Sequence, residues 1–326
     1  MSTTEHLFPI FIHQGKSLSK YTAGFVDASG KLVIGSTFDD AMAFMDGRAS
    51  VRVGNRWGAI DLQGKMVVQP ISEIWLRFSE GRADFQVNNK RGVIDQNGAV
   101  VVTPRYDAIS PFKEGRAYVR KDRLYGFIDA SGHEVIPPFF EDVREFSHGV
   151  APAKLGGIWG YITHTGSFVI QPRFHRAMIF SEGVARVQLS DQWGYIDQDG
   201  TFKIEPRFYD ARDFQEGRAE VSTVKRGPWG FIDHAGRPIT KEIFDYTSSF
   251  SEGLASVRRV GQDLMGFIDG SGNDVIPHRF VQTGAFRHDR CIATTNDEIG
   301  YIDRRGDFVW KGPIIERPLA AGIRYL

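Results

Sequence analysis

Asp197-Gln198-Asp199-Gly200 carries the residue types that open a calcium loop: carboxylates two positions apart, then a glycine that lets the backbone turn sharply. The Asp-x-x-Gly inside it also has the form of a nucleotide-switch motif. Neither chemistry is completed. The third ligand position before the glycine and the bidentate Glu that closes a calcium loop are missing. Gly15-Lys16-Ser17 has the ending of a phosphate-binding loop, but the glycine required five residues earlier falls on Ile10. The nine histidines show no ligand spacing, and no G-x-S-x-G elbow is present. Cys291 is the single thiol, which rules out an intramolecular disulfide framework.

What positions Asp197 is a repeat. The glycine that precedes it recurs as Gly24, Gly58, Gly92, Gly126, Gly160, Gly194, Gly230, Gly266 and Gly300, in steps of 34 residues with two of 36. Ile or Val follows two residues later, then Asp in eight of nine copies with Thr163 the exception, then a second Gly in all nine. Phe44, Phe78, Phe112, Phe146, Phe180, Phe214, Phe250 and Phe286 hold one further register. In other copies the Asp197 turn reads Asp-Ala-Ser-Gly or Asp-Arg-Arg-Gly, and a ligand position that changes to Arg is not a ligand. Asp-x-x-Gly therefore reads as a hairpin turn, with Asp hydrogen-bonding its own backbone and Gly taking the left-handed position.

The remaining positions fit β structure. Trp193-Gly-Tyr-Ile is a short aromatic strand, Phe202 and Ile204 alternate on a second, and Arg218-Ala-Glu-Val makes a third. Pro206 is expected to end the second strand, and Phe208, Ala211 and Phe214 to lie in an irregular connection that plugs the core. The reading is all-β: nine three-stranded antiparallel meanders of about 34 residues, stacked so that each covers its neighbour, as an open superhelix or a closed propeller-like ring. A cap segment with a possible strand at Phe8–His13 occupies 1–23, the array 24–312 and a tail 313–326. Registry with the repeat assigns the aromatics to core. It does the same for Cys291, which stands in a slot held elsewhere by Ala49, Ala83 or Ala117. The arginines after Glu-Gly are expected to pair with Glu80, Glu114 and Glu216, and Arg105, Arg173 and Arg207 to behave alike.

These motifs resemble the bacterial WG-repeat (KWG) β-repeat proteins, named for Trp-Gly followed by Tyr/Phe-Ile-Asp-x-x-Gly. The resemblance covers about nine-tenths of the chain, although Trp itself survives only at Trp57, Trp159, Trp193 and Trp229. It implies a binding or interaction module, often found in the company of other domains, and brings no catalytic residues.

Specificity should lie where the repeats differ. Two loops are two residues longer than the rest, Ser222–Pro228 and Arg258–Leu264, and both are basic through Lys225, Arg226, Arg258 and Arg259. Arg120, Lys121 and Arg123 add charge to an earlier loop of the same kind. Together they form a candidate patch for an acidic protein surface or a phosphate group.

Zero net charge among 326 residues argues against a nucleic-acid protein, and nothing approaches a membrane span or a signal peptide. The expectation is a non-enzymatic, cytoplasmic, monomeric scaffold without metal or cofactor. It would bind an unidentified protein partner with an acidic surface and could sequester it, as in neutralising a toxin. A carbohydrate- or nucleic-acid-binding module is the alternative, and an enzyme with a site on the array axis the third reading.

Overall fold

A computed structural model describes residues 6–13, 21–241 and 243–313. The tail expected over 313–326 lies outside them from residue 314 on, as does Gly15-Lys16-Ser17. The described residues form nine small antiparallel sheets and no helix; seven sheets have four strands, the first and seventh three. The chain divides into two compact units, Met1–Pro172 and Arg173–Leu326, with the boundary inside the strand Phe168–Phe174.

The first unit opens with Phe8–His13 paired to Tyr21–Val26, so the extra strand exists. The fourth sheet shows the common pattern: Ala108–Ile109, Arg116–Lys121, Leu124–Asp129 and Glu134–Phe140, hydrogen-bonded in that order. Such a twisted meander is built like one blade of a β-propeller. The expected three-stranded unit is corrected here. One sequence repeat supplies the last two strands of one sheet and the first two of the next. The missed strand lies inside the segment read as an irregular connection, and in five of the eight sheets that have one it is a two- or three-residue piece, such as Asp210–Ala211. Two residues carry too little alternation to be seen as a strand.

Pro206 is a second correction. It sits inside the strand Phe202–Phe208 rather than after it. That strand lies at the sheet edge, where a missing N–H costs no ladder bond. In the fourth sheet Pro137 and Pro138 mark a bulge: Tyr125 pairs with Phe140 but Phe127 with Ile136. The bulge swings the edge strand over the glycine of the repeat. A Cβ on Gly126 would lie 2.3 Å from the Ile136 carbonyl oxygen, and one on Gly194 2.6 Å from that of Ile204. Gly beside Trp or Tyr is required by this approach.

Core forms between consecutive sheets, as the stacking argument predicts. Val93, Val102 and Tyr106 of the third sheet pack with Ile109, Phe112 and Ala117 of the fourth; in the second unit Tyr195, Ile204 and Phe208 pack with Ala211, Phe214 and Val221. The in-register Phe meets the aromatic of the preceding sheet edge-to-face, as in Phe127–Phe146 at 4.8 Å and Tyr195–Phe214 at 4.9 Å. These rings are core. Cys291 is core too: it is buried, and burial pushes its thiol up to about 12.

The expected Arg–Glu pairs are replaced by links to backbone. Each Glu of the Glu-Gly turns accepts N–H groups of the next repeat's turn. The Glu80 carboxylate takes those of Glu114 and Gly115 at 2.8 Å, and Glu216 those of Glu252 and Gly253 at 2.6 and 2.7 Å. The following arginines donate to carbonyls of Asp-x-x-Gly turns, Arg82 to Ala130 at 2.9 Å and Arg218 to Gly270 at 2.8 Å. Arg207 stacks on Phe208 and donates to the Gly236 carbonyl at 2.7 Å.

Candidate functional site

The Asp197 loop is a turn. One carboxylate oxygen accepts the N–H groups of Asp199 and Thr201 at 3.1 and 2.9 Å, and Gly200 closes the turn at φ 84°. The Thr201 N–H and Lys203 hold the carboxyl below its ordinary range. Among the described residues no three His, Cys, Asp or Glu side chains gather as metal ligands would.

The basic loops are hairpin tips. Arg123 has φ 69° beside Asp122 at φ 52°, the two left-handed positions of a tight type I′ turn, and Arg120 and Lys121 end the strand leading into it. Lys225 and Arg226 are exposed on a turn closed by the Gly227 N–H on the Val224 carbonyl at 2.9 Å. Arg258 and Arg259 are differently placed. Arg258 donates to Asp245 at 2.8 Å, and Arg259 donates to Asp274 at 2.9 Å while its guanidinium lies over Phe244. Their charges are largely matched within the fold.

A second set of variable residues lies around the in-register Phe and after a small core residue, Ala in seven copies and Cys291 in the eighth. The position following that residue reads Ser50, Asp84, Tyr118, Pro152, Arg186, Glu220, Ser256 and Ile292. The position before the Phe reads Ala43, Arg77, Pro111, Glu145, Ile179, Asp213, Ser249 and Ala285. The fold brings the two positions together across consecutive sheets. Sequence reasoning missed them, although the signal was present: two columns of free variation flanked by fixed core residues.

In the first unit these positions build a buried ion cluster. Arg91 donates to Asp84 at 2.6 Å, and Arg77 lies 3.7 Å from the other oxygen. Burial raises the Asp84 carboxyl and the two arginines oppose that. Burial likewise raises Glu145, against Lys113 and Arg77.

In the second unit they surround a polar cavity of about 360 Å³, lined among others by Arg186, Arg212, Asp213, Ser249, Ser251 and Arg287. Arg186 donates to Asp213 at 2.7 Å and to the Ala211 carbonyl, with its guanidinium over Trp193. Arg212 lies over Trp229, donates to the Thr247 carbonyl at 3.2 Å and stands 3.8 Å from Glu220. Glu220 is 1% exposed; Ser249 donates to one oxygen at 3.2 Å, and the other has no hydrogen-bond partner. Burial raises this carboxyl, opposed chiefly by Arg212. Buried carboxyls perturbed in this way are found at functional sites.

Among the described residues the seventh sheet has no fourth strand. Thr240 stands where Ile204 and Ile276 stand in other copies, and its hydroxyl accepts the Phe231 N–H at 3.0 Å in place of a ladder partner. An apolar cavity of about 590 Å³ opens there, between Phe208, Val221, Phe231, Pro238 and Ile239.

A family model described as WG containing repeat matches the chain eight times, over residues 24–57, 57–90, 92–125, 125–157, 159–192, 193–223, 229–260 and 265–298. No curated protein matches. A crystal structure described as the eukaryotic initiation factor is similar in fold, with 11% identity and a TM-score of 0.69 over 95% of this chain and 96% of that one. Dihydro-heme d1 dehydrogenase NirN is similar at 13% identity and a TM-score of 0.49, covering 80% of this chain and 71% of that one. Hsv2 of Kluyvelomyces marxianus is similar at 8% identity and a TM-score of 0.42, covering 60% and 70%. At these identities the likeness concerns the fold alone.

Proposed function

We propose that this chain, which belongs to the family of WG-containing repeat proteins, is a non-enzymatic scaffold that holds a protein partner through the variable positions of its repeats. One observation carries the reading: polar residues that differ from repeat to repeat converge around one cavity, while the Phe beneath them stays fixed and the Ala changes only to Cys291. A fold that keeps its framework and varies one set of positions around a cavity is suited to recognition. The exposed cations Lys121, Arg123, Lys225 and Arg226, and the half-buried Arg120, Arg258 and Arg259, add long-range attraction for an acidic partner. The test is affinity capture from native lysate by the full chain, followed by mass spectrometry, with nucleic acids and glycans surveyed in parallel. Recovery of RNA or glycan without a protein would overturn the reading.

A further inference from the structure

We propose that the cavity lined by Arg186, Arg212, Asp213 and Arg287 is a receptor for a single carboxylate, the side chain of an acidic residue presented by a protein partner. The inference rests on the scaffold reading and gives it a chemistry. Hydrogen-bond directions come first. The cavity's hydroxyls already donate elsewhere: Ser249 to Glu220 at 3.2 Å, Ser251 to the Phe286 carbonyl at 2.7 Å, Ser248 to the Ser249 carbonyl at 3.2 Å. With these hydroxyls committed, the donors left for a guest are guanidinium N–H groups and the Gln215 amide, and the charged donors among them select an anionic acceptor.

Charge fixes its valence. Arg186 and Asp213 cancel across a 2.7 Å contact. Arg212 and Glu220 cancel when Glu220 is ionised, loosely at 3.8 Å. Arg287 is exposed, lines the cavity and pairs with no carboxylate among the described residues. The surplus is one positive charge. That matches one carboxylate better than a phosphate monoester, which carries about 1.5 to 2 negative charges. Glu220 is the second sign of an incomplete site. It is a buried carboxylate with one oxygen unpartnered, and its nearest cation is held more closely by the Thr247 carbonyl, at 3.2 Å, than by itself. A guest carboxylate engaging Arg212 and Arg287 in fork geometry supplies the close acceptor that Glu220 does not.

The test uses the full chain and a fluorescein-labelled hexaglutamate peptide in an anisotropy titration at low salt, with hexaglutamine as control. Hexaglutamate should bind and hexaglutamine should not. Arg287→Gln should weaken binding about tenfold or more, the loss of one charge-assisted pair. Lys65→Gln, at an exposed lysine of the first unit, should leave it within about twofold. Arg287 is exposed, so an unchanged melting temperature will show that its variant folds. Arg212→Gln gives an independent second reading of the same site. Wild-type affinity in both cavity variants overturns the proposal, as does inorganic phosphate displacing the peptide at lower concentration than acetate does. If Arg287→Gln captures a protein partner as well as the wild type, the carboxylate site falls and the scaffold stands. If the site binds hexaglutamate but no protein is captured, the scaffold falls and the site stands.

Discussion

The α-carbon of Gly126 lies beneath the carbonyl of Ile136, so close that a methyl group there would sit 2.3 Å from the oxygen. The obstacle is backbone, held by the bulge between Phe127–Ile136 and Tyr125–Phe140. Gly126→Ala must therefore displace the edge strand, which carries Phe140 and the core it shares with Phe146. We expect a loss of about 3 kcal/mol, the upper range for overpacking. Gly115→Ala is the comparison. Nothing lies within 4 Å of its would-be Cβ, and its cost is the left-handed φ of 70° alone, about 1 kcal/mol. Urea unfolding of both variants measures the difference. Equal losses would mean that the close approach is not what selects glycine after the aromatic.

Glu80 raises a different question, because Glu at φ 52° is strained where Gly or Asn would not be. Its carboxylate explains the choice: it caps the N–H groups of Glu114 and Gly115, one repeat on. Glu80→Ala keeps the strain and removes both bonds. Solvent competes at this exposed site, so the expected cost is about 1 kcal/mol. Hydrogen exchange should show the Glu114 and Gly115 amides losing protection, with little change at amides of the same turn that Glu80 does not reach.

The turn aspartates should contribute to the acid limit of the fold. Asp129 and Asp269 are held below their ordinary value of 3.8, Asp129 chiefly by the Ser131 hydroxyl and Asp269 chiefly by the Asn273 N–H. A carboxyl lowered in the folded state contributes stability that is fully present above the unfolded value and is lost as pH falls through the folded one. Stability should hold down to about pH 4 and decline below it. Asp129→Asn should flatten its share of that decline while costing stability at neutral pH. A variant that follows the wild-type profile below pH 4 would remove the turn from the account.

How far the sequence reveals these features follows from their periodicity. The glycines, the Asp-x-x-Gly turns and the in-register Phe repeat every 34 residues, and each has one local cause, so turn, strand and core are readable from Gly194 or Phe214 alone. The short strand Asp210–Ala211 was not readable, because its partner Val221 lies ten residues away across a turn and two residues show no alternation. The variable columns were not readable as a site for a related reason. Arg186 and Asp213 are 27 residues apart, and only stacking of consecutive sheets places them at 2.7 Å. Loop length drew attention to Arg258 and Arg259, while length says nothing of Asp245 and Asp274, which hold them.

Glu220 joins stability to binding. Burial raises its carboxyl above the ordinary 4.5; Arg212 and the Ser249 hydroxyl oppose this, and Asp213 reinforces it. An acid raised in the folded state binds its proton more tightly there than in the unfolded chain. Stability is therefore lost as pH rises from the unfolded value through the folded one. Glu220→Gln keeps the shape and the Ser249 contact but cannot ionise. Its stability relative to wild type should improve between pH 4 and pH 7.5, read from urea midpoints at the two values. Arg212 is 42% exposed at its side chain, so losing this partner does not strand a buried cation. The same substitution frees Arg212 for a guest. Hexaglutamate should bind Glu220→Gln more tightly than wild type at pH 7.5, and the difference should shrink as pH falls and the wild-type carboxyl takes up its proton. A variant less stable at pH 7.5 than at pH 4, relative to wild type, would mean that attraction to Arg212 outweighs burial and that Glu220 is a structural ion pair.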